Sequence, residues 1–429
     1  MIFFIYKYVG QVKFHHLVTG LCVFVTMMLF LTLLIESVLY KGFERKPQLS
    51  ITTANEFEMS SNNNFIILVL DSVKGETLSQ LMQNDDKYYK VFEDFTYYDN
   101  TMGGYPYTKN SVPLILSGKW YENDGKFKNF VSDSLEESPL LSYCQSNSYE
   151  MGIYETGLPL NTSHMERFNN LISSKGKVTS YVDFAIWQFM MTGYKYAPFD
   201  LKRFCFIYPV SFNDLKKLPD GYETWSSSNT AFYNSVLEKE ITLTEDNVFK
   251  FIHIEGAHPP MKYNENVEII ENGTYEQNVK ASLTIADAYL GKLKSAGVYD
   301  NSIIVIMADH GYDDGVNYGR QNPFLCIKGI NEKHEMKISN APISFDDLQN
   351  GYRELLKGKL SDAIFNVKEN EDRERRYLWY TTDKQDCMIE YVQTGQAWDM
   401  NTLCPTGREY VWEGNEKNLD INQVGIHMK

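Results

Sequence analysis

Two continuous apolar runs, each followed at once by an acidic residue, constrain the fold of this chain more than any other feature. The first run is 65–70 and precedes Asp71; the second is 303–308 and precedes Asp309 and His310. Runs of this length with β-branched side chains indicate strands buried on both faces, as in a parallel sheet. Because ligands bind at the carboxyl ends of such strands, the runs predict that Asp71, Asp309 and His310 meet at one edge.

Each of these residues also has an ordinary structural explanation. Asp71 could be the N-cap of a following helix, and an isolated Asp-His pair is most often a surface or capping pair. The glycines at 311 and 315 let the chain bend sharply after His310. A metal site is favoured only because further segments of the chain point to the same chemistry.

The segment from Thr108 to Pro113 predicts a helix N-terminus beside a hydroxyl group. Proline is tolerated in the first turn of a helix, which places the predicted start near Asn110 or Ser111. Thr108 would then lie where backbone N–H groups and the helix dipole stabilise an anion. A threonine hydroxyl becomes a nucleophile beside a base or a divalent metal. The alternative is that Thr108 only caps the helix.

A third apolar run, 251–254, leads into a loop that contains His258 before two prolines. His258 is the better candidate for contact with a substrate, because it lies in a loop. His253 alternates with Phe251 and Glu255, so it is either a second substrate-binding residue or a strand histidine with an ordinary hydrogen bond.

The order of these motifs resembles the sulfatase-like branch of the alkaline phosphatase superfamily. The motifs are strand-Asp, Thr-x-x-Ser-Val-Pro, His-x4-His-Pro and strand-Asp-His-Gly, and the resemblance covers roughly residues 62–360. The threonine motif looks most like that of lipid A phosphoethanolamine transferases, and lipoteichoic acid synthases also have a threonine there. The resemblance implies an α/β fold with a mixed, mostly parallel sheet between helices and a small antiparallel sheet at the C-terminus.

The resemblance also implies a set of site residues. Thr108 would be the nucleophile, and His258 would bind the phosphoryl oxygens. One divalent metal would be held by Asp71, Thr108, Asp309 and His310. Carboxylate, imidazole and alkoxide ligands suit Mn²⁺ or Zn²⁺, and Mg²⁺ less, because Mg²⁺ prefers an all-oxygen shell.

Some positions depart from the family pattern. The formylglycine motif of true sulfatases, Cys/Ser-x-Pro-x-Arg, is absent, which argues against sulfate ester hydrolysis. The transferases carry a histidine about a dozen residues after Asp-His, and 312–320 has none. Arg320 is either a phosphate clamp or a surface arginine. Lys74 either binds an anionic substrate or is a solvated helix lysine.

The N-terminal segment predicts a membrane anchor. Residues 17–35 carry no charge, and these 19 residues extend about 28 Å as a helix, enough to cross a hydrocarbon core. Nothing like an Ala-x-Ala cleavage site follows, which disfavours a signal peptide. Basic residues lie on both sides, so charge does not fix orientation. Transferase relatives often have several spans, and residues 1–10 could be the end of another.

We therefore expect a single-pass protein of a bacterial-type cell membrane with an extracytoplasmic catalytic domain, the latter implied by the resemblance. The expected organisation is 1–46 for the cytoplasmic stub and anchor, 47–63 for a polar linker, 64–360 for the catalytic domain and 361–429 for a closing C-terminal subdomain. Within the catalytic domain, 160–225 is expected to be an irregular, aromatic insertion that shapes the substrate cleft.

Three functional hypotheses remain. The first is a phosphotransferase that moves a phosphoglycerol- or phosphoethanolamine-type group from a membrane phospholipid to an envelope glycan or polymer. The second is a phosphate- or sulfate-ester hydrolase, and the third is a non-catalytic, polymer-binding relative. A formal charge of −15 argues against a nucleic-acid partner. The sequence does not indicate an oligomeric state.

Overall fold

The structure is a computed structural model that describes residues 11–39, 48–174, 177–205, 216–313, 319–380 and 387–412. Its strands are β1 (Gln48–Ile51), β2 (Glu58–Ser60), β3 (Asn64–Leu70), β4 (Thr96–Tyr98), β5 (Tyr149–Tyr154), β6 (Leu171–Ser174), β7 (Lys177–Val178), β8 (Lys216–Lys217), β9 (Thr242–Thr244), β10 (Asn247–Ile254), β11 (Ser302–Met307), β12 (Leu325–Lys328), β13 (Lys337–Ser339), β14 (Arg375–Trp379), β15 (Cys387–Gln393) and β16 (Leu403–Val411).

The α-helices are α1 (Gln11–Leu39), α2 (Gly75–Asn84), α3 (Lys87–Val91), α4 (Thr108–Ser117), α5 (Phe127–Glu136), α6 (Pro139–Ser146), α7 (Tyr181–Tyr196), α8 (Phe199–Lys202), α9 (Asn229–Glu238), α10 (Tyr275–Ser295) and α11 (Leu348–Leu356). Short 3₁₀ turns lie at Thr162–Glu166, Gly319–Gln321, Phe345–Asp347, Ser361–Ala363 and Met400–Thr402.

The main sheet has seven strands in the order β13-β4-β12-β11-β3-β10-β5. The central strands β11, β3, β10 and β5 are all parallel, while β12 runs antiparallel to both of its neighbours. The two apolar runs of the sequence are the neighbouring strands β3 and β11, so their carboxyl ends lie at the same edge.

Both faces of this sheet are covered, which explains why its central strands are apolar throughout. Alternate residues of β3 belong to two different hydrophobic clusters because successive side chains of a strand point to opposite faces. Ile66 and Leu68 belong to the cluster that contains the buried face of α10, whereas Phe65 and Ile67 belong to the cluster that contains α4. The sheet is therefore sandwiched by helices, as the sequence predicts.

A separate three-stranded antiparallel sheet, β14-β15-β16, lies near the C-terminus. Leu378 and Met388 from this sheet pack into the cluster that contains α4. The predicted fold class, a mixed and mostly parallel α/β sheet with a small C-terminal antiparallel sheet, is confirmed.

Helix α1 includes a stretch, Val12–Ile35, that is long and apolar enough to cross a membrane, with a mean hydropathy of 2.5 over its most apolar window. A signal sequence near an N-terminus would satisfy the same criteria. Helix α1 belongs to one compact unit of the chain, and the main sheet belongs to another.

Two segments differ from what the sequence suggested. The part of 47–63 that the structure describes contains β1 and β2 rather than a polar linker, because Phe57 and Met59 are buried against the main core. The 160–225 segment is not irregular throughout, since it contains helix α7.

Candidate active site

Asp71, Asp309 and His310 meet at the carboxyl edge of the main sheet. The parallel register pairs Met307 of β11 with Val69 of β3, so Asp309 follows its strand at the same level as Asp71. One ligand atom from each of the three lies within 4.8 Å of the others. The three residues are 8%, 0% and 1% exposed, so the group lies in a desolvated position where isolated carboxylates are unfavourable.

Ser72 orients both carboxylates. Its hydroxyl donates to Oδ1 of Asp71 at 2.7 Å, and its backbone N–H lies 3.4 Å from Oδ1 of Asp309. Ser72 adopts a left-handed conformation with φ of 62°, which is uncommon for a residue other than glycine and clusters at functional sites. Oδ1 of each aspartate is thus engaged, and Oδ2 of Asp309 is buried without a hydrogen-bond partner among the described residues.

The ring of His310 is held so that Nε2 faces the carboxylates. Its Nδ1 lies 2.7 Å from the carbonyl oxygen of Gly311, which can only accept, so Nδ1 carries the proton. Nε2 lies 3.6 Å from Asp71 Oδ1 and 3.5 Å from Asp309 Oδ2. A histidine in this tautomer presents a free lone pair to a metal, which is the usual arrangement for a metal-binding imidazole.

Thr108 places its hydroxyl at the same point. It is the first residue of α4, and its Oγ1 donates to Asp71 Oδ2 at 3.3 Å. The helix begins two or three residues before the predicted start at Asn110 or Ser111, so Pro113 lies inside it. The N–H groups of Asn110 and Ser111 already bond to the carbonyl of Tyr107. The hydroxyl therefore lies at a helix N-terminus, where a negative group is stabilised.

His253 reaches the site from β10. Its Nε2 lies 3.7 Å from Asp71 Oδ2 and 3.9 Å from Asp309 Oδ2, and its Nδ1 contacts the carboxylate of Glu155. It is buried, and Nε2 has no hydrogen-bond partner among the residues that the structure describes. His253 is thus a strand histidine with a partner at Nδ1, and its other ring nitrogen faces the cluster.

Glu155 is a site residue that the sequence reading missed. It follows β5, whose parallel register pairs Tyr154 with Ile252, so Glu155 lies beside His253. A strand run that ends in an acid is the same signal that identified Asp71. What the sequence did not provide was the position of β5 beside β10.

The remaining candidates lie around this group. His258 is exposed, and its ring Nδ1 lies 2.6 Å from the carbonyl of Pro259. The ammonium of Lys74 forms an ion pair with Glu76 at 2.6 Å, so it is not an isolated solvated lysine. Arg320 donates to the carbonyl of Pro106 at 3.1 Å and its guanidinium lies 4.6 Å from the ring centre of Tyr107, beside the nucleophile segment.

Burial and mutual proximity shift the pKa values of the central groups in different directions. Burial raises the pKa of Asp71, and the neighbouring Asp309 raises it further. Burial would also raise the pKa of Asp309, but His310 and His253 outweigh it and lower that pKa to about 2. The pKa of His253 is raised to about 10 because Glu155 outweighs the opposing effect of burial.

These residues fit a divalent cation. Two buried carboxylates close together need positive charge between or beside them, and a buried carboxylate oxygen without a partner calls for a ligand. The set of Asp71, Asp309, His310 and Thr108 offers carboxylate, imidazole and hydroxyl donors. That mixture suits Mn²⁺ or Zn²⁺ better than Mg²⁺.

The fold and the edge cluster together agree with the alkaline-phosphatase-like class of enzymes. The family model described as "Sulfatase" matches residues 63–348, two-thirds of the chain. The chain therefore belongs to the sulfatase family, and the predicted superfamily is confirmed. Enzymes of this family use a divalent metal, in agreement with the donor set described above.

Several solved structures are similar to this chain at low identity. A protein of the alkaline phosphatase superfamily from Vibrio parahaemolyticus is 12% identical, with 85% of this chain and 81% of that chain covered and a TM-score of 0.42. A phosphonate monoester hydrolase from Silicibacter pomeroyi is 13% identical, with 81% and 88% covered and a TM-score of 0.42. A 2-O GAG sulfatase is 12% identical, with 79% and 84% covered and a TM-score of 0.42. None of the curated proteins matches the chain.

Proposed function

We propose that this protein is a membrane-anchored, metal-dependent phosphotransferase with Thr108 as its nucleophile. It would move a phosphoglycerol- or phosphoethanolamine-type group from a membrane phospholipid to an envelope glycan or polymer. The observation that carries this proposal is the position of the Thr108 hydroxyl, 3.3 Å from Asp71 Oδ2 at the N-terminus of α4. That contact puts the hydroxyl beside a carboxylate that would share the metal with it.

The residues that would hold the metal are Asp71, Thr108, Asp309 and His310. A bound cation would supply charge that lowers the pKa of the threonine hydroxyl and stabilises the phosphoryl oxygens. Ser72 keeps Asp71 and Asp309 in place through their Oδ1 atoms. The chain's own contribution is therefore to place two carboxylates and an imidazole around one hydroxyl.

The reaction has two displacements at phosphorus. In the first, Oγ1 of Thr108 forms a bond to phosphorus as the bond to the lipid alcohol breaks, and the hydroxyl proton leaves with the alcohol. In the second, an acceptor hydroxyl attacks the phospho-threonine, and Thr108 regains its proton from that acceptor. Positioning and electrostatic stabilisation supply most of the catalysis in such transfers.

The surrounding basic groups would bind the transferred group. His253 faces the cluster from the buried side and His258 lies in the loop that follows the same strand. Their imidazoles are candidate donors to phosphoryl oxygens. Arg320 lies against Tyr107, the residue before the nucleophile, where it would contact the same phosphate. Lys74 is a further candidate, which would have to exchange its ion pair with Glu76 for the anionic substrate.

The proposed location is the extracytoplasmic side of a bacterial-type cell membrane. Helix α1 supports a single-pass anchor by its length and composition. A net charge of −15 disfavours attraction of the whole protein to anionic lipid. The anchor would therefore bring the enzyme to its lipid donor.

The alternative is a hydrolase of phosphate or sulfate esters. Family membership supports it, since relatives of the same fold include a phosphonate monoester hydrolase and a GAG sulfatase. The two activities share the first displacement and differ only in whether water takes the phosphoryl group. A non-catalytic polymer-binding protein is the second alternative, and the intact nucleophile and ligand set argue against it.

The experiment is turnover by the full chain in nanodiscs that contain phosphatidylglycerol or phosphatidylethanolamine labelled in the head group. With Mn²⁺ and a hydroxyl-rich glycan acceptor, we expect label on the glycan. Thr108→Ala should abolish this transfer and Thr108→Ser should retain part of it. Release of the label only as free head-group phosphate would show that the protein is a hydrolase. If there is no turnover although the fold is intact and metal is bound, the protein would be the non-catalytic polymer-binding alternative.

A further inference from the structure

The hairpin formed by α7 and α8 has an unusual surface for a segment facing water. None of the α7 side chains is buried, and only Asp183 and Lys195 are charged in its 16 residues. The large apolar side chains exposed on this helix are Tyr181, Val182, Phe184, Ile186, Phe189, Met191 and Tyr196. Contiguous apolar surface of this kind marks an interaction site.

The second part of the hairpin continues the same surface. Phe199 and Phe204 are 76% and 66% exposed, and Leu201 between them is also exposed. The end of the hairpin packs on α7, since a Cβ at Gly193 would lie 2.8 Å from Sγ of Cys205. The segment that follows α8 thus folds back onto α7, while Phe199 and Phe204 stay exposed.

Basic side chains lie beside several of these aromatic rings. The ammonium of Lys202 lies 5.5 Å from the ring centre of Tyr194, and that of Lys195 lies 5.3 Å from Tyr196. The guanidinium of Arg203 lies 4.8 Å from the ring centre of Phe204. Aromatic rings with basic groups beside them are typical of helices at the boundary between lipid head groups and acyl chains.

We propose that the α7–α8 hairpin lies in the interfacial layer of a phospholipid bilayer, as a second membrane contact besides α1. A helix of 16 residues is about 24 Å long, which is too short to span and suits a helix parallel to the surface. A membrane is favoured over a protein partner because the same chain carries a segment that is long and apolar enough to enter one. The inference rests on this membrane location and not on the proposed reaction.

Trp187 provides a direct probe, because it lies in the middle of α7 and α1 contains no tryptophan. The full chain is reconstituted in nanodiscs of phosphatidylcholine and phosphatidylglycerol, with and without bromine on the acyl chains. Bromine quenches tryptophan only at close range. We expect Trp187→Phe to remove most of the bromine-dependent quenching. The matched control Trp398→Phe, another partly exposed tryptophan, should leave that quenching unchanged.

A second pair of variants tests the apolar surface itself. Phe189→Ser combined with Phe199→Ser should reduce the quenching of Trp187 several-fold, because each buried phenylalanine contributes about a tenfold preference for the apolar phase. Leu243→Ser, at an exposed leucine outside the hairpin, should have no effect. Circular dichroism establishes that the variants are folded. No turnover is measured, so failure here is distinct from failure of the phosphotransferase proposal.

The proposal is overturned if quenching by brominated lipid is the same in the wild type and in Trp187→Phe. It is also overturned if Trp187 becomes shielded only as protein concentration rises in detergent without lipid. That second result would assign the surface to contact between two copies of the chain.

Discussion

Replacing Glu155 by Gln should change how the stability of the protein depends on pH. The two side chains have the same shape, so the substitution removes the charge and leaves the volume. Glu155 and His253 are both buried, and Nδ1 of the histidine contacts the carboxylate. The pKa of His253 is raised from 6.5 to about 10, mainly by Glu155 against the effect of burial.

The direction in which stability changes with pH follows from proton binding. Between pH 6.5 and pH 10 the folded protein keeps a proton on His253 that the unfolded chain has lost. The contribution of the His253–Glu155 pair to the free energy of unfolding is therefore fully present below pH 6.5. It is lost as the pH rises through the pKa that His253 has in the folded protein. Each unit of the difference corresponds to about 1.4 kcal/mol, so the wild type should lose on the order of 4–5 kcal/mol across this range from His253 alone. Glu155→Gln should lose much less.

The assay is urea unfolding of the metal-stripped full chain in detergent, followed by tryptophan fluorescence at several pH values across that range. Glu150→Gln is the matched control, because Glu150 lies on the same strand with an exposed carboxylate that accepts from Asn169. Parallel stability profiles for the wild type and Glu155→Gln would refute the reasoning, since Glu155 would then not hold the imidazole charged. With metal restored, ester turnover should fall about 10–100-fold, as for other partners that orient site residues.

Three further predictions follow from individual contacts. Asp309→Asn should weaken Mn²⁺ or Zn²⁺ binding about 10–100-fold or more, measured by equilibrium dialysis. Burial lowers the pKa of Lys250 to about 8, so the wild type should gain about 2–3 kcal/mol relative to Lys250→Met between pH 8 and pH 10.5, measured by urea unfolding. Gly256→Ala adds a Cβ 2.4 Å from the amide nitrogen of Asp71. It should destabilise the fold by about 2 kcal/mol more than the control Gly297→Ala, because Gly297 also has positive φ but no neighbour within 4 Å. Thermal unfolding of both variants measures the difference.

The parts of the fold that the sequence predicted depend on local patterns. The runs before Asp71 and Asp309 are apolar on both faces because helices cover both sides of the sheet. Their neighbouring, parallel pairing then brings the two aspartates and His310 together at one edge. The carboxyl-end rule needs only the strands and their direction, which is why these three residues could be identified before the structure was known.

Other features depend on information that a single sequence does not carry. The contact of Glu155 with His253 requires the strand order β10-β5, which is set by tertiary packing. The left-handed conformation of Ser72 has no sequence signal, because serine does not favour positive φ. The sequence did not predict helix α7, because none of its residues is buried and it therefore lacks the apolar spacing of a helix that packs on a core.

The pairing of Lys74 shows a related limit. The sequence left open whether this lysine binds an anion or is solvated, and the ion pair with Glu76 is a third arrangement that neither alternative describes. The two residues are at positions i and i+2, a spacing at which helical side chains do not face each other. The pair forms because Lys74 precedes α2 in an extended conformation, with ψ of 134°.

The most direct test of the central claim is the intact mass of the full chain after incubation with Mn²⁺ and phosphatidylglycerol or phosphatidylethanolamine, without an acceptor. We expect a mass increase that corresponds to the head-group phosphate, located on Thr108 by peptide fragmentation. The adduct should be absent in Thr108→Ala and present in Thr108→Ser. Lipid turnover that persists in Thr108→Ala, or an adduct on another residue, would contradict the assignment of Thr108 as the nucleophile.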